Sequence, residues 1–326
     1  MSNSFGNIFR ITIFGASHAE SVGITIEGTP KGIALTADMF RADIDRRRPA
    51  LTGETARKEE DTPIIEGLSP DGVTTGNAIT ITFKNSDKRS GDYSHLRVHP
   101  RPSHADLVQQ RKYGKNADIA GGGMASGRMT VALVAAGVVA KEILKEATFT
   151  TSLVSVNGIS DSSKFNDIIT TASREGDSVG GVIECRVKGI KATLGEPFFD
   201  SVESVISHLL FSIPGVKGVE FGDGFEGTTK RGSERNDQII DKDGTTLTNN
   251  EGGINGGITN GNDIIVRVAI KPTPSIAKPQ TTYNFESNTT TPLSIGGRHD
   301  ACIARRAVVV VEAMVAVALA DLLLRA

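Results

Sequence analysis

His18 is the first residue whose type and position suit chemistry. It stands beside Ser17 in residues 14–20, FGASHAE, which follow a strand-like run at residues 9–14. An imidazole on a turn changes charge near neutral pH and can donate a proton to a bound molecule. The same position also suits a histidine that only caps the turn or lies on the surface. This loop alone leaves both interpretations open.

A second loop, RVHPRPSHAD at residues 97–106, places His104 close to Arg101 and Asp106. Its two prolines fix their own φ angles and so stiffen the backbone. A rigid loop that presents an arginine and a histidine suits anion binding combined with proton transfer. Two neighbouring histidines are predicted to be solvated loop residues: His95 and His99.

A glycine-rich segment, GGGMASGRMT at residues 121–130, leads into a helix predicted to continue to about Ala147. Glycines before a helix leave backbone N–H groups free to bind phosphate, and the helix dipole adds attraction. The spacing matches neither GxxxxGKS/T nor GxGxxG, so nucleotide hydrolysis has no support. Arg128 is predicted to face the ligand, and an exposed helix arginine is the alternative interpretation.

The counterpart of this segment is GGRHDACIARR at residues 296–306, again just before a long apolar helix. His299 lies there between Arg298 and Asp300. Asp300 also suits a simple helix N-cap, which is a common role for aspartate. The segment therefore adds an acidic and a basic group to the candidate site without fixing their roles.

Two basic segments complete the candidate site: RRRP at residues 46–49 and KPTPS at residues 271–275. An arginine run is otherwise typical of a solvated face. None of these loops shows a metal-ligand pattern or a nucleophile elbow. Taken together, their histidines, aspartate and arginines predict a site for a multiply anionic ligand.

The elements that must position these loops form two matching series. Four pairs match in the same order: 21–27 with 178–184, 36–45 with 200–210, 72–83 with 257–268, and the glycine clusters 121–123 with 296–297. The matches predict one domain over residues 1–326, built of two pseudo-repeats at about 1–150 and 151–326. The alternative is that glycine-rich turns recur by chance in any α/β chain.

Each series ends in a long helix rich in alanine and valine. Helices this apolar need burial on most faces, so we expect sheets to cover them in an α+β fold. Residues 307–324 are apolar except for Glu312 and Asp321. Because a carboxylate near the middle of a spanning helix costs about 2.5–3.5 kcal/mol, a buried core helix is the better prediction than a membrane span.

Composition excludes several other classes of protein. A formal net charge of −2 rules out a nucleic-acid binder held by bulk charge. The only two cysteines, Cys185 and Cys302, show no metal-ligand spacing, which favours a reducing cytoplasm and no metal. The first residues show no basic start followed by an apolar run, so we expect a cytoplasmic protein with neither nucleic-acid nor membrane partners.

These loops in this order resemble the chorismate synthase family, and the resemblance runs nearly from end to end. It rests on seven segments: GNIFRITIFGASHAESVG, DIDRRRP, RPSHADLVQQRKYG, AGGGMASGRMT, SIPGVKGVEFGDGF, GGINGGITNGNDIIVRVAIKPTPSI and GRHDACIARRAVVVVEAM. The resemblance implies a duplicated β-α-β sandwich with long apolar helices between antiparallel sheets, assembled as a homotetramer. It also implies a carbon–oxygen lyase that requires reduced FMN. The reaction implied is anti-1,4-elimination of phosphate from 5-enolpyruvylshikimate 3-phosphate to give chorismate.

The resemblance also implies roles for individual residues. His18 would protonate the departing phosphate with Ser17 beside it, His104 would lie against the flavin, and Asp300 would help remove a proton at flavin N5. The positions that match substrate-binding arginines are Arg47, Arg101 and Arg128. The positions that match the flavin site are Met124, Ala125, Ser126, Gly256, Lys271, Pro272, Thr273, Pro274, Ser275 and Arg298.

The chain departs from the family pattern at several positions: Ala16, Gly53, Met124, Met129, Ala301, Arg305 and Val309. These replacements concern substrate affinity and loop rigidity more than reaction type. They motivate one alternative, a flavin-binding paralogue with lost or altered activity. A second alternative is a structural or scaffolding protein in which the glycine-rich loops only form turns. Two further expectations are an external flavin reductant, because no NADPH fingerprint is visible, and a flap at residues 226–255 that orders when ligands bind.

Overall fold

Alternating apolar and polar residues form the first of two large antiparallel sheets in this computed structural model, which describes residues 3–55, 57, 59–87, 95–296 and 299–326. Its strands are β1 (Ser4–Phe5), β2 (Arg10–Gly15), β3 (Ser21–Glu27), β4 (Ile64–Glu66) and β5 (Ile79–Lys84), in the order β1-β2-β3-β5-β4. In β5 the alternate residues Ile79, Ile81 and Phe83 are fully buried. This period of two places one apolar face against the core.

The second large sheet is built in the same way from the later part of the chain. Its strands are β6 (Thr148–Val156), β7 (Gly181–Lys188), β8 (Val216–Phe221) and β11 (Ile264–Ile270), in the order β6-β7-β11-β8. Two small hairpins accompany it: β9 (Ile254–Asn255) with β10 (Ile258–Thr259), and β12 (Gln280–Asn284) with β13 (Thr289–Leu293). Every pairing within the two large sheets is antiparallel.

Helices fill the space between the sheets. The described helices are α1 (Ala37–Arg47), α2 (Asp106–Tyr113), α3 (Thr130–Ile143), α4 (Phe165–Arg174), α5 (Val202–Ser212), α6 (Gly232–Arg235) and α7 (Ala304–Arg325). Those that pack on one another between the sheets are α1, α3, α5 and α7. Helix α3 packs on β2, β3 and β5, helix α7 packs on β6 and β7, and the two helices pack on each other. The order is therefore sheet, helices, sheet, which confirms the predicted α+β class.

The two large sheets share one connectivity. The first set of strands is β2, β3, β4 and β5 in chain order, and the second set is β6, β7, β8 and β11. In each sheet the strands of the set lie side by side in the order first, second, fourth, third. One helix follows the second strand of each set: α1 follows β3, and α5 follows β7. A long helix ends each set, α3 in the first and α7 in the second. Helix α4, between β6 and β7, is an addition to the second set. This symmetry is what a duplicated unit produces, and the boundary near residue 150 stays a prediction.

Helix α7 is the one described helix that is long and apolar enough to cross a membrane, with a mean hydropathy of 2.5. The fold encloses it, and 83% of that apolar window is buried. Its two carboxylates have partners: Glu312 binds Arg46 and Lys141, and Asp321 accepts hydrogen bonds from the backbone N–H groups of Asn7, Ile8 and Phe9. These are the features of a buried core helix, which is the structure predicted from the two carboxylates in this segment.

Some predicted boundaries shift because site loops compete with the sheet. The strand predicted at residues 178–184 begins only at Gly181, since the Ser178 hydroxyl donates to the carbonyl of Thr273 and the Val179 N–H to that of Ala301. Helix α3 ends at Ile143, before the predicted Ala147. Strand β7 therefore begins later than predicted, after the residues that make these contacts.

The predicted flap at residues 226–255 has internal structure of its own. It contains α6, and Asp237 accepts hydrogen bonds from Thr248 Oγ1 at 2.6 Å and from the N–H groups of Asn250 and Glu251 at 2.8 and 2.9 Å. These contacts join the middle of the segment to its C-terminal part. Its ordering on ligand binding stays a prediction.

Replacement of Gly137 by alanine tests the contact between α3 and α7. A β-carbon at Gly137 would lie 2.3 Å from that of Ala313, so the helices must separate. Such overpacking costs about 1–3 kcal/mol, and we expect G137A to lower the free energy of unfolding by about that amount despite the better helix propensity of alanine. Urea titration measures it. The double variant G137A/A313G should regain part of the loss, and a G137A protein as stable as the parent would contradict the contact.

Candidate active site

A cavity of about 710 Å³ lies at the N-terminal ends of α3 and α7. This volume is within the range of about 300–1,000 Å³ that small-molecule sites occupy. Among the described residues that line it, six arginines and two lysines face four carboxylates: Arg47, Arg48, Arg57, Arg101, Arg128, Arg306, Lys217 and Lys271 against Glu59, Asp61, Asp87 and Asp300. The excess of positive charge, inside a chain whose net charge is −2, fits an anionic ligand.

One run of glycines brings the two candidate histidines to this cavity. Gly121 and Gly122 have φ angles of +57° and +87°, a region that side chains rarely adopt. A β-carbon at Gly121 would lie 2.4 Å from His18 Cε1 and 2.8 Å from Ser17 Oγ, and one at Gly122 would lie 3.5 Å from His104 Cε1. The backbone therefore passes close to both imidazoles. At Gly121 a side chain would collide with His18, whereas at Gly122 it is the positive φ that favours glycine.

His104 is oriented by a buried carboxylate. Its Nδ1 lies 2.8 Å from Asp106 Oδ1, and Arg101 donates to both oxygens of the same carboxylate at 2.7 Å. Burial opposes ionisation of Asp106, but the hydrogen bonds from Arg101 and His104 outweigh it and hold its pKa well below the usual range. An ionised carboxylate on Nδ1 selects the tautomer in which Nε2 is the nitrogen left to act on a ligand.

Asp61 joins two of the predicted substrate arginines. Its Oδ2 lies 3.3 Å from Arg47 Nη1, and its Oδ1 accepts a short hydrogen bond from Arg128 Nη1. All three side chains are buried, so the solvated-face interpretation is wrong for Arg47 and the exposed-helix interpretation is wrong for Arg128. Burial and then the charge of Arg306 lower the pKa of Arg47 to about 9, against the opposing effect of Asp61. Two guanidiniums on one carboxylate leave positive charge available to an anion.

Asp300 lies in the segment that leads into α7, and it is 8% exposed. It accepts hydrogen bonds from the Thr55 N–H at 3.0 Å and from Arg306 Nη1 at 2.8 Å. The N-cap residue of α7 is Ile303, which provides no side-chain cap. The simple N-cap interpretation of Asp300 is therefore wrong, and its carboxylate belongs to the cavity.

Most of the predicted flavin positions line the same cavity: Met124, Ala125, Ser126, Lys271, Pro272, Thr273, Pro274 and Ser275. Lys271 donates to the carbonyl of Ser103 at 2.8 Å, and burial together with the charge of Lys217 lowers its pKa. Gly256 instead lies on the exposed turn between β9 and β10, outside the described cavity lining. Arg298 lies outside the described residues.

The sequence analysis missed several residues that the structure places in the cavity: Arg57, Glu59, Asp61, Arg306 and His299 as a lining residue. The first three belong to the charged run RKEED at residues 57–61, which is typical of a solvated loop. His99, predicted to be a solvated loop residue, is partly exposed, and its Nε2 also lies 2.9 Å from the hydroxyl of Thr291 on β13. No local signal marks any of these contacts.

Fold and site together define a class: a sandwich of two antiparallel sheets around apolar helices, with a cationic cavity that presents two histidines and a buried carboxylate. A family model described as chorismate synthase matches residues 9–324. The chain therefore belongs to the chorismate synthase family, which confirms the resemblance.

Individual relatives agree with this assignment. A chorismate synthase from Chitinophaga pinensis is 50% identical over 323 residues, covering 99% of this chain and 96% of the relative. One from Prochlorococcus marinus is 44% identical and covers 100% and 98%. A crystal structure of chorismate synthase superposes with a TM-score of 0.75 at 26% identity, covering 98% of this chain and 93% of the other.

Asp61→Asn tests the arginine pair. Removal of one partner from a buried ionic group costs about 3–5 kcal/mol, because the guanidiniums of Arg47 and Arg128 stay buried without their counter-ion. We expect the free energy of unfolding to fall by about that amount. Millimolar inorganic phosphate should then stabilise D61N more than the parent.

The matched control for this test is D38N, whose side chain is 86% exposed beside Arg41. Chemical denaturation with and without phosphate measures all three proteins. An equal effect of phosphate on D61N and the parent would show that the arginine pair does not bind anions.

His299 provides a test by pH. Burial, and next the charge of Arg101, lower its pKa below the ordinary value of 6.5. The unfolded chain therefore takes up this proton at a higher pH than the folded one, so His299 costs stability as pH falls below about 6.5 and nothing above it. The variant H299Q should lose less stability than the parent between pH 7.5 and pH 5.5 in urea titrations. Parallel pH profiles would contradict this environment for His299.

Proposed function

We propose that the protein is a carbon–oxygen lyase that converts 5-enolpyruvylshikimate 3-phosphate into chorismate and phosphate by anti-1,4-elimination. The observation that carries the proposal is the cationic cavity in which one glycine run passes close to both His18 and His104. Family membership supports the same reaction. The substrate carries a phosphate and two carboxylates, and Arg47, Arg101 and Arg128 line the cavity that would receive them.

The lining also suits reduced FMN as the cofactor. Met124, Ala125 and Ile303 offer apolar surface, while Lys271 offers a positive charge. The hydroxyl oxygen of Thr273 is buried without a hydrogen-bond partner among the described residues, and a polar ring edge would satisfy it. When bound, reduced FMN would supply electron density for departure of the phosphate and an acceptor for the C6 hydrogen of the substrate, with no net redox change.

The protein's own groups would then handle the protons. His18 donates a proton to the departing phosphate oxygen, with Ser17 beside it in a relay. His104, held by Asp106, presents Nε2 to the cavity and stabilises charge at the flavin. Asp300, fixed by the Thr55 N–H and Arg306, removes a proton near the flavin. His18 and His104 are thus two separate proton sites rather than one acid–base pair.

The same proposal extends to assembly and supply. We propose a cytoplasmic homotetramer. We also propose that an external reductant, for example one that uses NADPH, reduces its flavin. Large exposed apolar side chains on the isolated chain support an assembly, among them Phe198 at 85% and Phe199 at 93% exposure. The absence of a dinucleotide fingerprint from the sequence supports an external reductant.

An anaerobic assay with reduced FMN and substrate, read out as phosphate release, tests the proposed reaction. Release above the level without FMN supports it. A folded protein that binds FMN in a fluorescence titration but releases no phosphate is the paralogue of altered activity. A folded protein that binds no FMN is the scaffold.

His18→Ala tests the proton donor in the same assay. A general acid contributes about 10²–10⁴-fold to rate, so kcat should fall by that factor while the unfolding midpoint stays near that of the parent. The matched control is H95A, an exposed histidine outside the cavity, which should keep the parent rate. A near-parent rate for H18A would reject the role.

A further inference from the structure

Arg57 holds Ser17 by two hydrogen bonds. Its Nη1 donates to Ser17 Oγ at 3.0 Å, and its Nη2 donates to the backbone carbonyl of the same residue at 3.1 Å. Ser17 is 1% exposed and lines the cavity beside His18. One guanidinium therefore fixes both the backbone and the side chain of the serine next to the proposed proton donor.

Glu59 fixes Arg57 in turn. Its Oε1 accepts from Arg57 Nε at 3.0 Å and from Nη2 at 2.7 Å, while Oε2 accepts from the N–H and hydroxyl of Ser86 at 2.8 and 2.7 Å. Burial opposes ionisation of Glu59, but the bonds from Ser86 and Arg57 outweigh it, so its pKa lies below the usual value. The guanidinium is thus anchored by a carboxylate and set against Ser17.

The chemistry of arginine decides what this contact does. A guanidinium has only donors, so Ser17 Oγ must accept from Arg57, and the hydroxyl proton of Ser17 must point elsewhere. The side chain of Ser17 shares the space over Gly121 with the His18 imidazole, since a β-carbon at Gly121 would touch both. Ser17 lines the cavity, so an anion bound there can accept this hydroxyl proton.

Charge alone does not explain Arg57. Its ion pair with Glu59 is local and nearly neutral overall, whereas Arg47 and Arg128 share the single carboxylate of Asp61. Attraction of an anion by Arg57 is correspondingly weak. The geometry of Arg57 instead orients Ser17.

The arginine often found after DRRRP in the family is replaced near Gly53, where a β-carbon would lie 3.0 Å from Ile169 Cγ2 and 3.6 Å from Ala301 Cβ. Gly53 therefore packs against α4 and the segment before α7. Four residues later, Arg57 donates to Ser17.

We propose that Arg57 is a positioning residue that makes the Ser17 hydroxyl a hydrogen-bond donor to a phosphate oxygen bound beside His18. The inference rests on the proposed function, because it assigns the phosphate group of that substrate to this end of the cavity. Arg57 acts through Ser17 and makes its contribution only while the hydroxyl is present.

A double-mutant cycle tests this dependence with four proteins: the parent, R57Q, S17A and R57Q/S17A. A hydrogen bond to a charged group corresponds to about 10- to 100-fold in rate, and we expect R57Q to lower kcat by that factor when Ser17 is present. In the S17A background the same change should cost less than about threefold. The KM should change less than kcat, because the oriented donor acts on the departing phosphate.

The matched control is R41Q, an arginine whose side chain is 74% exposed on α1, which should keep the parent rate. Equal losses from R57Q in both backgrounds would overturn the proposal, as would a parent-like rate for R57Q. If the parent itself releases no phosphate, the proposed reaction fails instead. The cycle is then measured as the Kd for inorganic phosphate, where additive losses would overturn the role of Arg57 and non-additive losses would support it.

Discussion

Helices α3 and α7 pack against each other at Gly137 and Ala313, where a β-carbon on the glycine would lie only 2.3 Å from that of the alanine. This close approach sets the distance between the two sheets, since each sheet packs on one of the two helices. It also sets the cavity, because the segments before both helices contribute residues to it, including Arg128 and Asp300. The apolar core and the polar site thus depend on one contact.

Within the cavity, carboxylates fix the cations in place. Asp106 holds Arg101 and His104, Asp61 holds Arg47 and Arg128, and single partners join Glu59 to Arg57 and Asp300 to Arg306. Groups held this way need little reorganisation when charge develops on a ligand. Because the cations outnumber the carboxylates, the arrangement is rigid and still attracts an anion. This combination is what release of a phosphate group requires.

Local patterns predicted the elements and several of the loops. The alternation at residues 21–27 coincides with β3, and the apolar run at residues 307–324 lies within α7. Pairs of distant residues gave no such signal. Arg128 and Asp61 are 67 positions apart, and His99 and Thr291 are 192 apart. A sequence pattern specifies what a segment buries, but it does not specify which distant side chain meets it, so the charged run at residues 57–61 does not single out Arg57.

Two departures from the family pattern meet in space and have one physical meaning. The resemblance implies a proline at the position of Ala301, whose N–H here donates to the carbonyl of Gly53 at 2.7 Å, a bond that proline cannot make. Gly53 has a φ of +84°, which an arginine there would rarely adopt. In the loop that follows Gly53, the Thr55 N–H donates to Asp300 and the Arg57 guanidinium donates to Ser17. The bond between Ala301 and Gly53 therefore joins the segment before α7 to the loop whose Thr55 and Arg57 bind Asp300 and Ser17.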